Sequence, residues 1–193
     1  MSRYLQKGAM QVENLLALAR QIGFSQTAPI NMQALEVREA VREMCASDLC
    51  HSYGRSWSCP PVCGTLEQCR DRIGKYGCGI LVQTTGRLED DFDLEGLGVT
   101  QHKHKKSFDT LTRQVRMLYP DCLPLTAGAC TLCRRCTYPN RPCRFPRKRF
   151  FSMEAFGLLV SDVCIESGLS YYYGPKTITY TSCILLDEKK GMV

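Results

Sequence analysis

The chain has 193 residues, enough for one hydrophobic core of ordinary size, and 44% of them are apolar, which excludes a disordered or fibrous protein. The formal net charge of +6 favours acidic partners. The unusual feature is the thirteen cysteines, an odd number that a fully paired disulfide framework cannot use.

The N-terminal region does not resemble a signal peptide, because Glu13 and Arg20 interrupt its short Leu/Ala-rich run. No window reaches the roughly eighteen apolar residues that a membrane-spanning helix needs. We therefore expect a cytoplasmic protein without a membrane partner. In a reducing cytoplasm, clustered cysteines more often bind metal than form disulfides.

The first predicted element is an amphipathic helix that ends at Gly23. Its apolar face consists of Val12, Leu15, Leu16, Ala19 and Ile22. Residues 45–64 are rich in Cys, Gly, Pro and Ser, as is typical of an irregular loop around a ligand. Thr65 and Gln68 then form a T-x-x-Q capping box, which predicts a helix with Cys69 on its inward face.

A buried strand is predicted for residues 79–85, a short apolar and β-branched run bounded by glycines. The next element is an amphipathic helix that stops at Pro120. Its core face consists of Phe108, Leu111, Val115 and Leu118. Residues 123–127 predict a weaker strand.

Residues 128–150 are irregular again, with many cysteines and arginines. Ser152 is a suitable N-cap for a helix that closes at Gly168. Its core face consists of Phe156, Leu159, Val160 and Val163. Residues 177–186 predict a long final strand.

Alternating strands and helices predict the fold class α/β, as one small layered α/β domain over residues 1–193. Two irregular cysteine-rich loops, residues 45–69 and 128–150, are expected as insertions at its edge, the second of them ferredoxin-like. The pattern does not determine the strand directions.

The second loop contains the more specific motif. Cys130, Cys133 and Cys136 are two residues apart, as in bacterial ferredoxins, where such a triplet binds one [4Fe-4S] cluster. Cys143 follows after six residues rather than three, but a spacer with two prolines can return it to the same cluster. We expect these four cysteines to bind one [4Fe-4S] cluster. The alternative is a four-cysteine zinc site, which usually consists of two separated C-x2-C pairs.

The first loop contains five cysteines, and no single spacing defines a site among them: Cys45, Cys50, Cys59, Cys63 and Cys69. One four-ligand metal centre leaves one of them over, and spacing does not choose between Cys63 and Cys69. Cys69 is favoured because it lies one turn into the capped helix, whose N-terminus stabilises a thiolate.

Other candidate side chains have expected structural roles. His102 and His104 lie among lysines and are expected at the solvated surface, and His51 is expected to hydrogen-bond a cluster sulfur. Aromatic residues of the loops are expected to shield the clusters from water: Tyr53, Trp57 and Tyr138. The remaining cysteines are expected to be small buried apolar residues: Cys78, Cys122, Cys164 and Cys183.

Seven basic residues surround the second motif: Arg134, Arg135, Arg141, Arg144, Arg147, Lys148 and Arg149. They favour docking of an acidic redox protein, such as a ferredoxin or flavodoxin, or form a solvated face that balances thiolate charge. Nucleic acid is disfavoured as a partner, since no known DNA- or RNA-binding motif accompanies them.

Four stretches together resemble an uncharacterised bacterial and archaeal family of predicted metal-binding proteins: VREMC, CHSYGRSWSCPPVCGTLEQC, GACTLCRRCTYPNRPCRFP and SMEAFGLLV. The resemblance covers residues 41–186. It makes Cys63 the spare cysteine and implies no activity. It implies two metal sites, namely Cys45, Cys50, Cys59 and Cys69 in the first, and Cys130, Cys133, Cys136 and Cys143 in the second.

No Walker loop, dinucleotide fingerprint, nucleophile elbow or HExxH motif is present. The leading hypothesis is therefore single-electron transfer through two [4Fe-4S] clusters to a partner redox enzyme, in an anaerobe. One alternative is an enzyme with an open cluster iron near Cys63, His51, Tyr53 and Arg55, acting as Lewis acid or redox catalyst. The other is a zinc-stabilised interaction module. The sequence leaves open whether the chain is itself an enzyme and whether it binds a small-molecule substrate.

Overall fold

The computed structural model describes residues 3–187, with side chains from residue 11 onward. This part of the chain forms five α-helices and a five-stranded mixed sheet, which confirms the small α/β fold class. The helices are α1 (Arg3–Ile22), α2 (Glu39–Ala46), α3 (Leu66–Ile73), α4 (Leu94–Leu118) and α5 (Val160–Glu166). The strands are β1 (Gln26–Pro29), β2 (Cys78–Arg87), β3 (Leu123–Thr126), β4 (Phe151–Ser152) and β5 (Thr177–Leu186). None of the described helices combines the length and apolarity that crossing a membrane requires.

The sheet has the strand order β1-β2-β5-β3-β4. Its centre is the long antiparallel pair of β2 and β5, in register from Cys78 opposite Leu186 to Arg87 opposite Thr177. The edge pair β3 and β4 is parallel, with Leu125 opposite Phe151. Because β3 and β4 are parallel, their carboxyl ends lie at the same end of the sheet. The second loop begins there, at the end of β3.

Helices cover both faces of the sheet. Side chains alternate along β2, so that Leu81 belongs to one apolar cluster while Ile80 and Val82 belong to the other. On β5, Leu185 belongs to the same cluster as Leu81, and Ile184 belongs to the other. Helices α1 and α4 pack on the Ile80 face, and α3, α5 and a 3-10 helix over Glu154–Phe156 pack on the Leu81 face.

The expectation that His104 is solvated was wrong. Helix α4 begins at Leu94 and turns His104 inward, where its ring nitrogens lie 2.9 Å from Thr84 Oγ1 and 2.7 Å from Ser182 Oγ. Burial, with a smaller contribution from the charge of Lys105, lowers the pKa of His104 to about 3. His102, two residues earlier in the same helix, is exposed as expected. The flanking lysines suggested a surface position for His104. Adjacent residues of a helix face different directions, however, so charged neighbours do not show which way His104 points.

The prediction of a single helix after Ser152 was also wrong. Ser152 ends β4, and its hydroxyl accepts a hydrogen bond from the backbone N–H of Ala155 at 3.0 Å. The short 3-10 helix that follows stops at Gly157, whose φ of 79° is left-handed. Helix α5 then begins separately at Val160. This break holds Glu154 and Ala155 at the edge of the sheet, where they contribute to the candidate site.

Candidate metal centre

The first loop places three of its five cysteines on the wall of one cavity. Cys45, Cys50 and Cys59 line a cavity of about 290 Å³. The rest of the wall is mainly apolar and includes Met44, Leu49, Tyr53, Ala129, Glu154 and Ala155. Since Ala129 follows β3 and Glu154 follows β4, the cavity lies at the carboxyl ends of the parallel strand pair.

A tight turn presents Cys50 at the mouth of this cavity. Asp48 and His51 have left-handed backbones, with φ of 55° and 53°, which bend the chain on either side of Cys50. The Asp48 carboxylate accepts a hydrogen bond from the backbone N–H of Tyr53 at 2.9 Å and pairs with Arg55 at 3.2 Å. Cys50 is exposed, and His51 is exposed and does not line the cavity.

The cavity disfavours thiolates unless a cation is present. Burial, followed by the charge of the Glu154 carboxylate, raises the pKa of Cys45 to about 11. Burial also raises the pKa of Cys59, although hydrogen bonds from Ser58 and Ser56 oppose it. Metal ligation requires deprotonated thiols, so metal binding here would release protons and offset the cost of these buried charges.

Cys69 lies behind this cavity rather than on its wall. The predicted capping box is present, with Gln68 N 3.2 Å from Thr65 Oγ1 and Thr65 N 3.0 Å from Gln68 Oε1. It directs Cys69 into the core, where the side chain is fully buried. There the Cys69 sulfur accepts a hydrogen bond from the Arg42 guanidinium at 3.5 Å.

Cys63 and Cys69 form a buried pair of thiols. A hydrogen bond from Cys63 outweighs burial and, together with the Arg42 guanidinium, lowers the pKa of Cys69 to about 7, while the pKa of Cys63 is raised. The Cys63 sulfur also donates to the carbonyl oxygen of Ala155 at 3.2 Å, and Arg42 donates to the same oxygen at 2.7 Å. Ala155 lines the cavity, so it lies between the cavity and this pair.

The second loop brings its four cysteines to one cavity: Cys130, Cys133, Cys136 and Cys143. This cavity measures about 20 Å³, so the turns around it have to move outward to admit a cluster. Trp57, from the first loop, donates from Nε1 to the Arg141 carbonyl at 3.0 Å and packs edge-on against Tyr138 at 5.0 Å. Two of the three aromatic residues expected to shield the clusters therefore meet beside the second group.

Backbone N–H groups point at the sulfurs of the second group. Burial by itself raises the pKa of Cys136, but hydrogen bonds from the backbone of Tyr138 and Trp57 reverse the effect and lower it. The Cys143 sulfur accepts a hydrogen bond from Phe145 N at 3.4 Å. Such donors stabilise a thiolate and orient it for a metal.

The Ser58 hydroxyl links the two cysteine groups. The backbone N–H of Cys130 donates to Ser58 Oγ at 3.2 Å, and the same hydroxyl lies 3.7 Å from the Cys59 sulfur. Lys105 serves both groups, because its ammonium donates to the Ala129 carbonyl and its charge acts on Cys130 and Cys59. Burial lowers the pKa of Lys105, and the negative charge that Cys130, Cys59 and Glu154 can carry opposes that shift.

Six of the seven basic residues around the second motif are exposed, and none of the seven forms a salt bridge with an acidic residue in the described part of the chain. Arg149, the seventh basic residue, is half-buried. It donates to the Trp57 carbonyl and lies 4.9 Å from the centre of the Phe151 ring, so it joins the two loops. The other six leave a basic surface over residues 134–148.

Sequence reasoning missed several residues of the site. Lys105 lies in no motif. Arg42 and Ser58 lie in two stretches of the family resemblance, VREMC and CHSYGRSWSCPPVCGTLEQC, but their roles depend on contacts between distant segments. Glu154 lies within SMEAFGLLV, a stretch that carried the family resemblance, which was the available signal for it. Over residues 3–187, no three His, Cys, Asp or Glu side chains lie close enough together to hold a single metal ion.

A small α/β domain that gathers two groups of thiols has the features of a metal-binding protein. Residues 28–186 match the family described as "Predicted metal-binding protein (DUF2284)", and the chain belongs to this family, whose function is unknown. The match confirms the resemblance and supports metal binding without specifying the metal. No curated protein and no solved structure matches the chain significantly.

Proposed function

We propose that the protein binds two [4Fe-4S] clusters and, in the cytoplasm of an anaerobe, passes single electrons to a partner redox enzyme. The second cluster is bound by Cys130, Cys133, Cys136 and Cys143, and three ligands of the first are Cys45, Cys50 and Cys59. The observation that carries the proposal is the contact between the two groups through Ser58. When bound, such clusters supply one-electron redox chemistry.

The surrounding residues favour an anionic cluster that gains an electron. The N–H groups of Tyr138 and Phe145 donate toward the sulfurs of the second group. The partly buried ammonium of Lys105 lies beside both groups and offsets added negative charge. Hydrogen bonds and nearby cations of this kind raise the reduction potential of a cluster.

The size of the first cavity supports a cluster over zinc at that site. Thiolates bind zinc at about 2.3 Å, so a zinc ion leaves little space between its ligands. The first cavity, at about 290 Å³, offers far more room. At the second group, with its cavity of about 20 Å³, zinc requires less movement than a cluster, so the metal has to be measured at both sites.

Metal analysis tests the proposal. Protein purified without oxygen should be brown and contain about eight iron and eight sulfide ions per chain. After reduction, electron paramagnetic resonance should show two interacting cubanes, since Ser58 links the two groups. C143A should lose about half of the iron, whereas C164A, which removes a fully buried thiol outside both loops, should lose none. A colourless protein with zinc and no labile sulfide contradicts the proposal.

One observation favours a second candidate function. The first cavity has three cysteines on its wall and an apolar mouth lined by Met44 and Leu49, both strongly exposed. A cluster held by three thiolates has an iron that can act on a small molecule as a Lewis acid or redox catalyst. In that case candidate small molecules should change the resonance signal of one cluster, whereas a pure electron carrier should give unchanged signals.

A further inference from the structure

Glu154 places a carboxylate on the wall of the first cavity, and one of its oxygen atoms has no hydrogen-bond partner. Its Oε2 atom is buried and has no hydrogen-bond partner, and Glu154 forms no salt bridge with a described residue. The charge of the half-buried Lys105 acts on Glu154, but the Lys105 ammonium donates its hydrogen bond to the Ala129 carbonyl instead. A buried carboxylate oxygen without a partner is costly, and such groups in proteins are paired or bind metal ions.

The fold fixes this carboxylate in position. The backbone N–H of Met153 donates to Thr126 O at 3.1 Å, which ties the start of the 3-10 helix to the end of β3. Its end is closed by Gly157, whose N–H donates to Glu154 O at 2.9 Å. Glu154 thus stands on a short element with a fixed backbone, and it lines the same cavity as the three cysteines of the first loop.

Cys69, in contrast, is occupied elsewhere. It is fully buried beside Cys63, its sulfur accepts from Arg42, and it does not line the cavity. To reach a cluster with Cys45, Cys50 and Cys59, helix α3 would have to leave the core that Cys69 and Ile73 share.

We propose that the Glu154 carboxylate, rather than the Cys69 thiolate, is the fourth protein ligand of the first metal centre. The assignment rests on the proposed function for the identity of the metal centre as a cluster. The choice of Glu154 over Cys69 rests on which of the two residues lines the cavity. A hard oxygen ligand binds iron less firmly than a thiolate, so one iron of this cluster exchanges more readily than the other three. The second centre, with four cysteines, has no such iron.

Three variants of the full chain, purified without oxygen, test the assignment: E154Q, C69A and C63A. E154Q keeps the size of the side chain and removes the charge. C63A is the matched control for C69A, since both remove a buried thiol from the same pair. Iron, zinc and sulfide are counted, and Mössbauer spectra of iron-57 protein resolve the iron environments.

The wild-type spectrum should contain one iron distinct from the rest, and mild oxidation should remove it to leave a three-iron cluster. E154Q should lose about one iron per chain before oxidation. C69A should match C63A and the wild type in metal content. An E154Q protein with the wild-type iron content and spectrum overturns the assignment, as does loss of a whole cluster in C69A but not in C63A.

The E154Q result decides the matter even if C69A does not fold, because Glu154 as a whole is half-buried and belongs to neither apolar cluster. Failure of the proposed function looks different. A wild-type protein that holds zinc without sulfide contradicts the iron–sulfur proposal, and the zinc content of E154Q and C69A then decides between the two ligands.

Discussion

At the residue scale, Lys105 is the cationic side chain that acts on cysteines of both proposed centres. Its ammonium is partly buried near Cys130 and Cys59, where water screens its charge less than at an exposed surface. Added electrons on either cluster would interact with this cation. Removing it should therefore change both potentials rather than one.

We expect K105M to lower both cluster reduction potentials by a few tens of millivolts, where about 59 mV corresponds to a tenfold change for one electron. Redox titration followed by electron paramagnetic resonance measures the shift. K103M, an exposed lysine on the same helix, is the control and should change neither potential. Unchanged potentials in K105M would leave Lys105 with a purely structural role.

His104 makes the stability of the fold sensitive to acid. Its pKa is lowered from an ordinary value of 6.5 to about 3, so between these values the unfolded chain binds a proton that the folded chain excludes. Stability is therefore intact above pH 6.5 and declines as the pH falls toward 3. The expected decline from this group is roughly 1.4 kcal/mol per pH unit.

Urea unfolding of the metal-free protein at pH 7, 6 and 5 measures this effect. H104Q keeps a polar side chain next to Thr84 and Ser182 but cannot titrate, so its stability should depend less steeply on pH. Equal slopes for the two proteins would show that the imidazole is not the group responsible.

At the element scale, the sequence predicted α3, whose cause is local, but it gave no prediction for α2. Thr65 and Gln68 lie within one turn, so the capping box could be recognised, and the structure contains it. Strands β1 and β4 were missed, since four and two residues are too short for a period and are held by pairing with distant strands. The candidate site divides in the same way, because the second thiol group is marked by its spacing, whereas Glu154 reaches the first cavity only through tertiary structure.

Gly157 shows how one residue divides a predicted helix. Its φ of 79° costs a non-glycine residue roughly 1–2 kcal/mol, and a Cβ would lie 3.0 Å from Leu66 Cδ2 and 3.1 Å from Arg38 O. We expect G157A to lower the free energy of unfolding by about 2 kcal/mol. G168A is the control, as its φ is 77° but its Cβ would meet nothing within 4 Å.

Denaturant unfolding of both variants separates backbone strain from crowding. G168A should show the strain alone, and G157A should be the less stable of the two. G157A should also bind less metal at the first centre, because Glu154 lies on the element that Gly157 ends. Equal stability of the two variants would argue against the close packing of Gly157 on α3.

At the scale of the whole molecule, the basic surface over residues 134–148 predicts how a partner is selected. We expect electron transfer to an acidic flavodoxin to slow at least tenfold in the double variant R134E/R135E, and to slow with rising salt in the wild type. Stopped-flow kinetics at several ionic strengths measures both. The charge-matched control K75E/K103E should retain most of the rate, and a wild-type rate independent of salt would exclude docking through this surface.

The two loops and the sheet differ in what stabilises them, which predicts the response to metal removal. Residues 128–150 contain no helix or strand, are mostly exposed, and make few backbone hydrogen bonds, such as Arg141 N to Thr137 O. The β2–β5 pair is long and buried between two apolar clusters. Metal binding therefore contributes order mainly to the loops, and the sheet retains its own core.

We expect hydrogen exchange of the metal-free protein to be fast throughout residues 128–150 and in the turns of residues 47–64, and slow in β2 and β5. Restoring iron and sulfide should slow exchange in both loops. The two loops should become ordered together, because Ser58 and Arg149 join them. If chelation instead exposed β2 and β5 to exchange, the metal centres would be part of the folding core, and the sheet could not form before the clusters are bound.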